Sequence, residues 1–88
     1  MEQEYDIIKI QDELKEYITA LLSPSKEITN SSTLDDMNID SLALVKIFVF
    51  VEKNFGISLS DSGLSRENIE TFGKLSEYIF KLINKKNY

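Results

Sequence analysis

Between Leu42 and Val51 nine of ten residues are apolar, with Lys46 the sole interruption. A run this dense has few places to go. It falls far short of the roughly 20 residues that span a bilayer. Its β-branched residues (Val45, Ile47, Val49, Val51) favour a strand, but it is long for one and lacks alternation of apolar with polar, so helix wins. Asp40 or Ser41 supplies an N-cap side chain, and Gly56 stands where a left-handed C-terminal residue is wanted. The spacing therefore predicts a helix over 41–54. Such a helix has to be covered by its neighbours. Eighty-eight residues leave room for one domain, 1–88, with a thin core that hides about 60–65% of the unfolded surface.

The covering elements are also legible. Ile7, Ile10, Leu14, Tyr17, Ile18, Leu21 and Leu22 recur at helical spacing, with Asp12, Glu13, Lys15 and Glu16 between them. This predicts an amphipathic helix over 4–22, ended by Ser23-Pro24 because proline disfavours helix in the residue before it. Residues 23–40 show no sustained period and gather serine, threonine and asparagine. They predict a long first loop, pinned to the core by Ile28, Leu34, Met37 and Ile39. Ser65, Asn68 and Ile69 suggest a short helical turn over 65–69. Thr71 then caps a last helix over 71–84, with Phe72, Leu75, Tyr78, Ile79, Leu82 and Ile83 along one side. The fold class is all-α, a four-helix bundle of three long helices and one short, without β-sheet. Its core should include Ile10, Leu14, Ile18, Leu34, Ile47, Val51, Phe55, Ile79 and Leu82.

Composition removes much of chemistry. There is no cysteine, hence no disulfide, thiolate metal site or thiol nucleophile. Histidine is absent as well, and with it the commonest general base and zinc ligand. The chain reads as a non-enzyme with no catalytic residues. Fifteen acids against ten bases give a net charge of −5, and the bases form no convincing cluster. A nucleic-acid phosphate backbone would repel such a surface, so no nucleic-acid partner is expected. The N-terminal segment has neither a basic region nor an apolar one, which speaks against a secretory precursor and for a cytoplasmic protein with no membrane insertion.

Two readings compete for the segment before the apolar helix. Asp36-Met37-Asn38-Ile39-Asp40 reproduces the opening of a calcium-binding EF-hand loop. That loop needs glycine at its sixth position and a bidentate glutamate at its twelfth, where this chain has Ser41 and Ile47. The anchoring ligand is missing, and no metal is expected. Acids that precede and cap a helix N-terminus explain Asp35, Asp36 and Asp40 better.

The other reading takes Asp40-Ser41-Leu42 as an Asp-Ser-Leu triplet at the junction of a long loop and an apolar helix. Phe55-Gly56-Ile57 closes that helix, and Thr71-Phe72-Gly73 opens the last one. In this arrangement the chain closely resembles the acyl carrier protein family and its peptidyl and aryl carrier relatives. The resemblance covers nearly the whole chain and implies a four-helix bundle of the acyl-carrier-protein type. It implies that Ser41, flanked by Asp40 and Leu42, receives a 4′-phosphopantetheine arm from coenzyme A. Acyl or aminoacyl groups ride that arm as thioesters, within a fatty-acid, polyketide, nonribosomal-peptide or related specialised pathway. A histidine-free chain with no obvious lysine dyad has nothing to activate the Ser41 hydroxyl, so a separate enzyme has to attach the arm, and the resemblance implies a phosphopantetheinyl transferase.

Departures from the family pattern bear on partners. Fatty-acid carriers of the family generally present an acidic second helix, whereas residues 42–54 hold one acid, Glu52, beside Lys46 and Lys53. The glycine pair of peptidyl carriers is absent before Asp40. The segment from Leu64 to Phe72 resembles that of stand-alone carriers loaded by adenylating ligases, with Arg66 in place of a proline. The implied partners are the transferase, an acyl- or aminoacyl-loading enzyme such as an adenylating ligase, and a downstream synthase or transferase. At about 100° per residue, Leu42, Val45, Lys46, Val49 and Lys53 fall on the side of the second helix away from Ile47 and Val51. That side is the expected docking surface. A non-carrier adaptor, dimerising through the same apolar helix, is the alternative.

Overall fold

The computed structural model describes residues 6–86. Asp6 starts the first helix: its backbone is extended and its Oδ1 accepts the Lys9 N–H at 2.8 Å. Helix α1 then runs Ile7–Leu22 and ends where Ser23 turns left-handed and donates its N–H to the Thr19 carbonyl at 2.9 Å. Of the expected earlier start, Glu4 and Tyr5 lie outside the described residues. The Ile10, Leu14 and Ile18 stripe is fully buried.

Helix α2 spans Ser41–Phe55, with Asp40 as N-cap and Gly56 in the left-handed conformation (φ 68°) as C-cap. Helix α3 spans Phe72–Lys86. Its start is capped by Thr71, whose hydroxyl accepts the Lys74 N–H at 3.2 Å. Helix α1 packs against both α2 and α3. Among the described residues the bundle therefore has three α-helices rather than four. Where a short fourth helix was expected, Arg66–Ile69 makes a single 3-10 turn. Four residues yield too few hydrogen bonds to propagate an α-helix. This one is held instead by its own side chain, Asn68 Oδ1 accepting the Ser65 N–H at 2.9 Å.

The core gathers Ile10, Leu14 and Ile18 of α1, Ala43, Ile47, Val51 and Phe55 of α2, and Phe72, Leu75, Ile79 and Ile83 of α3. Ile28, Met37, Ile39 and Leu59 enter it from the connecting segments. Two expected core residues are only half-buried: Leu34 and Leu82 pack against the cluster from its rim. Leu82 sits on the flank of the stripe formed by Phe72, Leu75, Ile79 and Ile83, and Leu34 lies in a turn that borders a surface groove. Ser76 is buried among the apolar residues, and its hydroxyl donates to the Phe72 carbonyl at 2.8 Å, so it is not orphaned.

Residues 23–40 reach from α1 to α2 by crossing the N-terminus of α3. There the Phe72 N–H donates to the Ser32 carbonyl at 2.8 Å and the Gly73 N–H to the Asn30 carbonyl at 2.9 Å. Thr33 and Thr71 form one antiparallel bridge, and no strand occurs among the described residues. The contact satisfies helix N–H groups that have no partner within α3. It also explains Gly73: a Cβ there would lie 2.9 Å from the Asn30 carbonyl oxygen and 3.0 Å from its Cβ.

Candidate functional site

The segment entering α2 is a series of turns with alternate residues anchored. Met37 and Ile39 are buried, while Asn38, Asp40 and Ser41 are exposed. Thr33 and Asp36 close the turn reciprocally: Asp36 Oδ2 accepts the Thr33 N–H at 3.0 Å, and Thr33 Oγ1 accepts the Asp36 N–H at 3.1 Å. The Thr33 backbone N–H first, then its hydroxyl, hold the Asp36 carboxyl below its ordinary value, with Lys26 adding a smaller push in the same direction. Asn38 takes a left-handed conformation (φ 62°), which asparagine tolerates better than most residues. Its reversal lets the Ile39 N–H reach back to the Leu34 carbonyl at 2.9 Å.

Asp40 is the cap. Its Oδ1 accepts the Ala43 N–H at 2.8 Å and its carbonyl accepts the Leu44 N–H at 2.9 Å. The EF-hand-like acids Asp36 and Asp40 thus each serve a backbone N–H of their own turn. With capping assigned to Asp40, the Ser41 hydroxyl is exposed and has no hydrogen-bond partner among the described residues. Ser41 opens onto a groove of about 800 Å³. Leu34, Ile39, Leu44 and Ile69 line it with apolar surface, and Asp35, Arg66 and Glu70 stand around it.

The outward side of α2 is unusually apolar. Leu42, Val45 and Val49 are 66%, 57% and 45% exposed, and Lys46 and Lys53 are exposed beside them. The structure therefore brings Asp40, Ser41 and Leu42 to the first turn of α2, and sets Val45, Lys46, Val49 and Lys53 along the same helix. Three features were not read from sequence. The 3-10 turn forms a wall of the Ser41 groove through Arg66 and Ile69. Tyr17 of α1 stacks on Phe50 of α2, centroids 4.1 Å apart. Glu52 turns its carboxylate to the 59–60 backbone, accepting the Leu59 N–H at 2.7 Å. Only Arg66 carried a signal in the sequence, as the residue replacing a proline.

Comparison with known proteins bears on this geometry directly. The family model described as "Phosphopantetheine attachment site" matches residues 12–79. The chain is 34% identical over 77 residues to an acyl carrier protein of Rhodococcus erythropolis, covering 88% of this chain and 81% of the relative. A meromycolate extension acyl carrier protein of Mycolicibacterium aurum is 35% identical over 77 residues, covering 88% and 76%. An acyl carrier protein of Buchnera aphidicola is 32% identical over 72 residues, covering 80% and 89%. The chain belongs to the acyl carrier protein family. No solved structure matches it.

Membership brings a covalently attached 4′-phosphopantetheine. The residues present fit that group. A serine hydroxyl, unengaged and exposed, stands at the first residue of α2, where free helix N–H groups favour a nearby phosphate. A groove with apolar surface from Leu34, Ile39, Leu44 and Ile69 opens beside it. Among the described residues no helix is long and apolar enough to cross a membrane.

Proposed function

We propose that residues 1–88 form a single carrier domain that bears its 4′-phosphopantetheine on Ser41. The observation that carries this is the division of labour at the start of α2. Asp40 caps the helix, and Ser41 keeps a free, exposed hydroxyl one residue further on. When bound, the group supplies the terminal thiol that a cysteine-free chain lacks, and acyl cargo is held on it as a thioester. The chain's own residues would hold and orient the group: Asp40 fixes the first turn, Leu42 flanks the serine, and the N–H groups at the α2 N-terminus would favour the negative charge of a phosphodiester. The chain catalyses nothing. Its gain is tethering, which raises the effective concentration of cargo at successive enzymes.

A carrier of fatty-acid-type intermediates is the reading favoured here, supported by relatives named as acyl carrier and meromycolate extension acyl carrier proteins. The partners are a phosphopantetheinyl transferase, a loading enzyme, and a downstream synthase or transferase. Leu42, Val45, Lys46, Val49 and Lys53 form the surface they meet. Incubation with coenzyme A and a broad-specificity phosphopantetheinyl transferase should add the mass of one phosphopantetheine. Ser41→Ala should abolish that gain while leaving the helical circular dichroism intact. A gain in the Ser41→Ala chain would sink the assignment.

A further inference from the structure

The side chains around the outer face of α2 specify the chemistry of what docks there. Val45 and Val49 form an exposed ridge with a groove on each side. The groove toward α1, about 470 Å³, is bounded by the stacked rings of Tyr17 and Phe50 and edged by Lys46 and Lys53. The Tyr17 and Phe50 planes are within 9° of parallel, so their shared surface is a preformed apolar wall. It carries the docking face off α2 and onto α1.

The outer face carries two cations, Lys46 and Lys53, on a chain of net charge −5, and the two carboxylates nearest them are turned to neutral hydrogen-bond donors. Residues 41–55 contain one acid, Glu52. Its Oε2 is occupied by the backbone N–H groups of Leu59 at 2.7 Å and Ser60 at 3.3 Å. Across the α1 groove, Glu13 Oε1 accepts a hydrogen bond from the Asn54 side-chain amide. Lys46 and Lys53 have neither an ion pair nor a side-chain hydrogen bond among the described residues. They are seven residues apart on one helix, a rise of about 10 Å.

We propose that this face selects a protein partner presenting an apolar side chain flanked by two carboxylates about 10 Å apart, the apolar group seating against Tyr17 and Phe50. This rests on the carrier reading above and adds to it the sign of the partner's charge and the contribution of α1. Lys46 and Lys53 disfavour a docking patch that sets basic side chains directly against them.

Two helical peptides of about 20 residues test this, long enough to hold helix in water. They share one Leu/Phe face and differ in carrying Glu or Lys at two positions seven apart. Each is titrated into the ¹⁵N-labelled chain at low salt. The Glu peptide should bind on the order of tenfold more tightly than the Lys peptide, with shifts at Tyr17, Val45, Val49, Phe50 and Lys53. The double variant Lys46→Glu, Lys53→Glu should invert the preference. Equal or reversed affinity in the unsubstituted chain would overturn the proposal, whether or not that variant folds. So would shifts confined to another surface, or concentration-dependent shifts showing that a second copy of the chain occupies the face. The phosphopantetheine mass gain is read on the same sample. A chain that gains the mass but shows no charge preference defeats this inference alone, and a chain that fails to gain it defeats the carrier reading.

Discussion

Replacing Gly73 by alanine should destabilise the domain, although alanine is the better helix former. Gly73 is the second residue of α3, and its N–H donates to the Asn30 carbonyl at 2.9 Å. An added Cβ would sit 2.9 Å from that same carbonyl oxygen and 3.0 Å from Asn30 Cβ. The oxygen belongs to the backbone, so it cannot swing aside as a flexible side chain would. Either the loop backs away and weakens its hydrogen bonds to α3, or the helix start shifts. Inserting a methyl into a packed contact costs about 1–3 kcal/mol. The intrinsic helix gain of alanine over glycine offsets at most about 1 kcal/mol, and less near a helix end. The net expectation is a loss of about 1–2 kcal/mol. At about 4–8 °C per kcal/mol for a domain of this size, Tm should fall by roughly 4–16 °C. Urea denaturation of the apo chain, followed by circular dichroism, measures this with the slope as a check on two-state behaviour. A Gly73→Ala chain as stable as the parent, or more so, would refute the claim that close approach of the loop requires glycine here.

Other perturbations probe the segment that presents Ser41. Asp40→Ala removes the α2 cap and should cost about 1 kcal/mol in the same denaturation experiment, while Asp40→Asn should recover most of it. Asn38→Ala places a less tolerant residue at φ 62° and should cost about 1 kcal/mol, with Asn38→Gly close to neutral. The Asp36 carboxyl is held below its ordinary 3.8, chiefly by the Thr33 N–H, so its contribution to the turn is complete above that pH. As pH falls through the lowered folded value that contribution disappears. An NMR titration should show Asp36 protonating below the usual aspartate range in the parent and nearer to it in Thr33→Val.

The helices were legible because their signals are local. Ile10, Leu14 and Ile18 repeat at four-residue steps, Asp40 and Gly56 bracket an apolar run, and Thr71 precedes another amphipathic stripe. The segment proposed as the site was legible as a helix start for the same reason, since Asp40, Ser41 and Leu42 are neighbours in sequence. What escaped depends on groups far apart in the chain. Gly73 is explained by Asn30, Glu52 by the backbone at 59–60, and Phe50 by Tyr17. The 3-10 turn was expected as a helix because four residues carry too little pattern to separate the two. Leu34 was assigned to the core on hydrophobicity alone, and only the packed structure shows that it borders the Ser41 groove. The exposure of Leu42, Val45 and Val49 followed from helix geometry together with the small size of the bundle.

The central claim is that Ser41 carries the arm, and tandem mass spectrometry of the proteolysed holo chain tests it most directly. The fragment series should place the phosphopantetheine on Ser41 in every modified peptide, with the peptides covering Ser58, Ser60, Ser62 and Ser65 unmodified. Modification at any of those four serines, with Ser41 bare, would contradict the account.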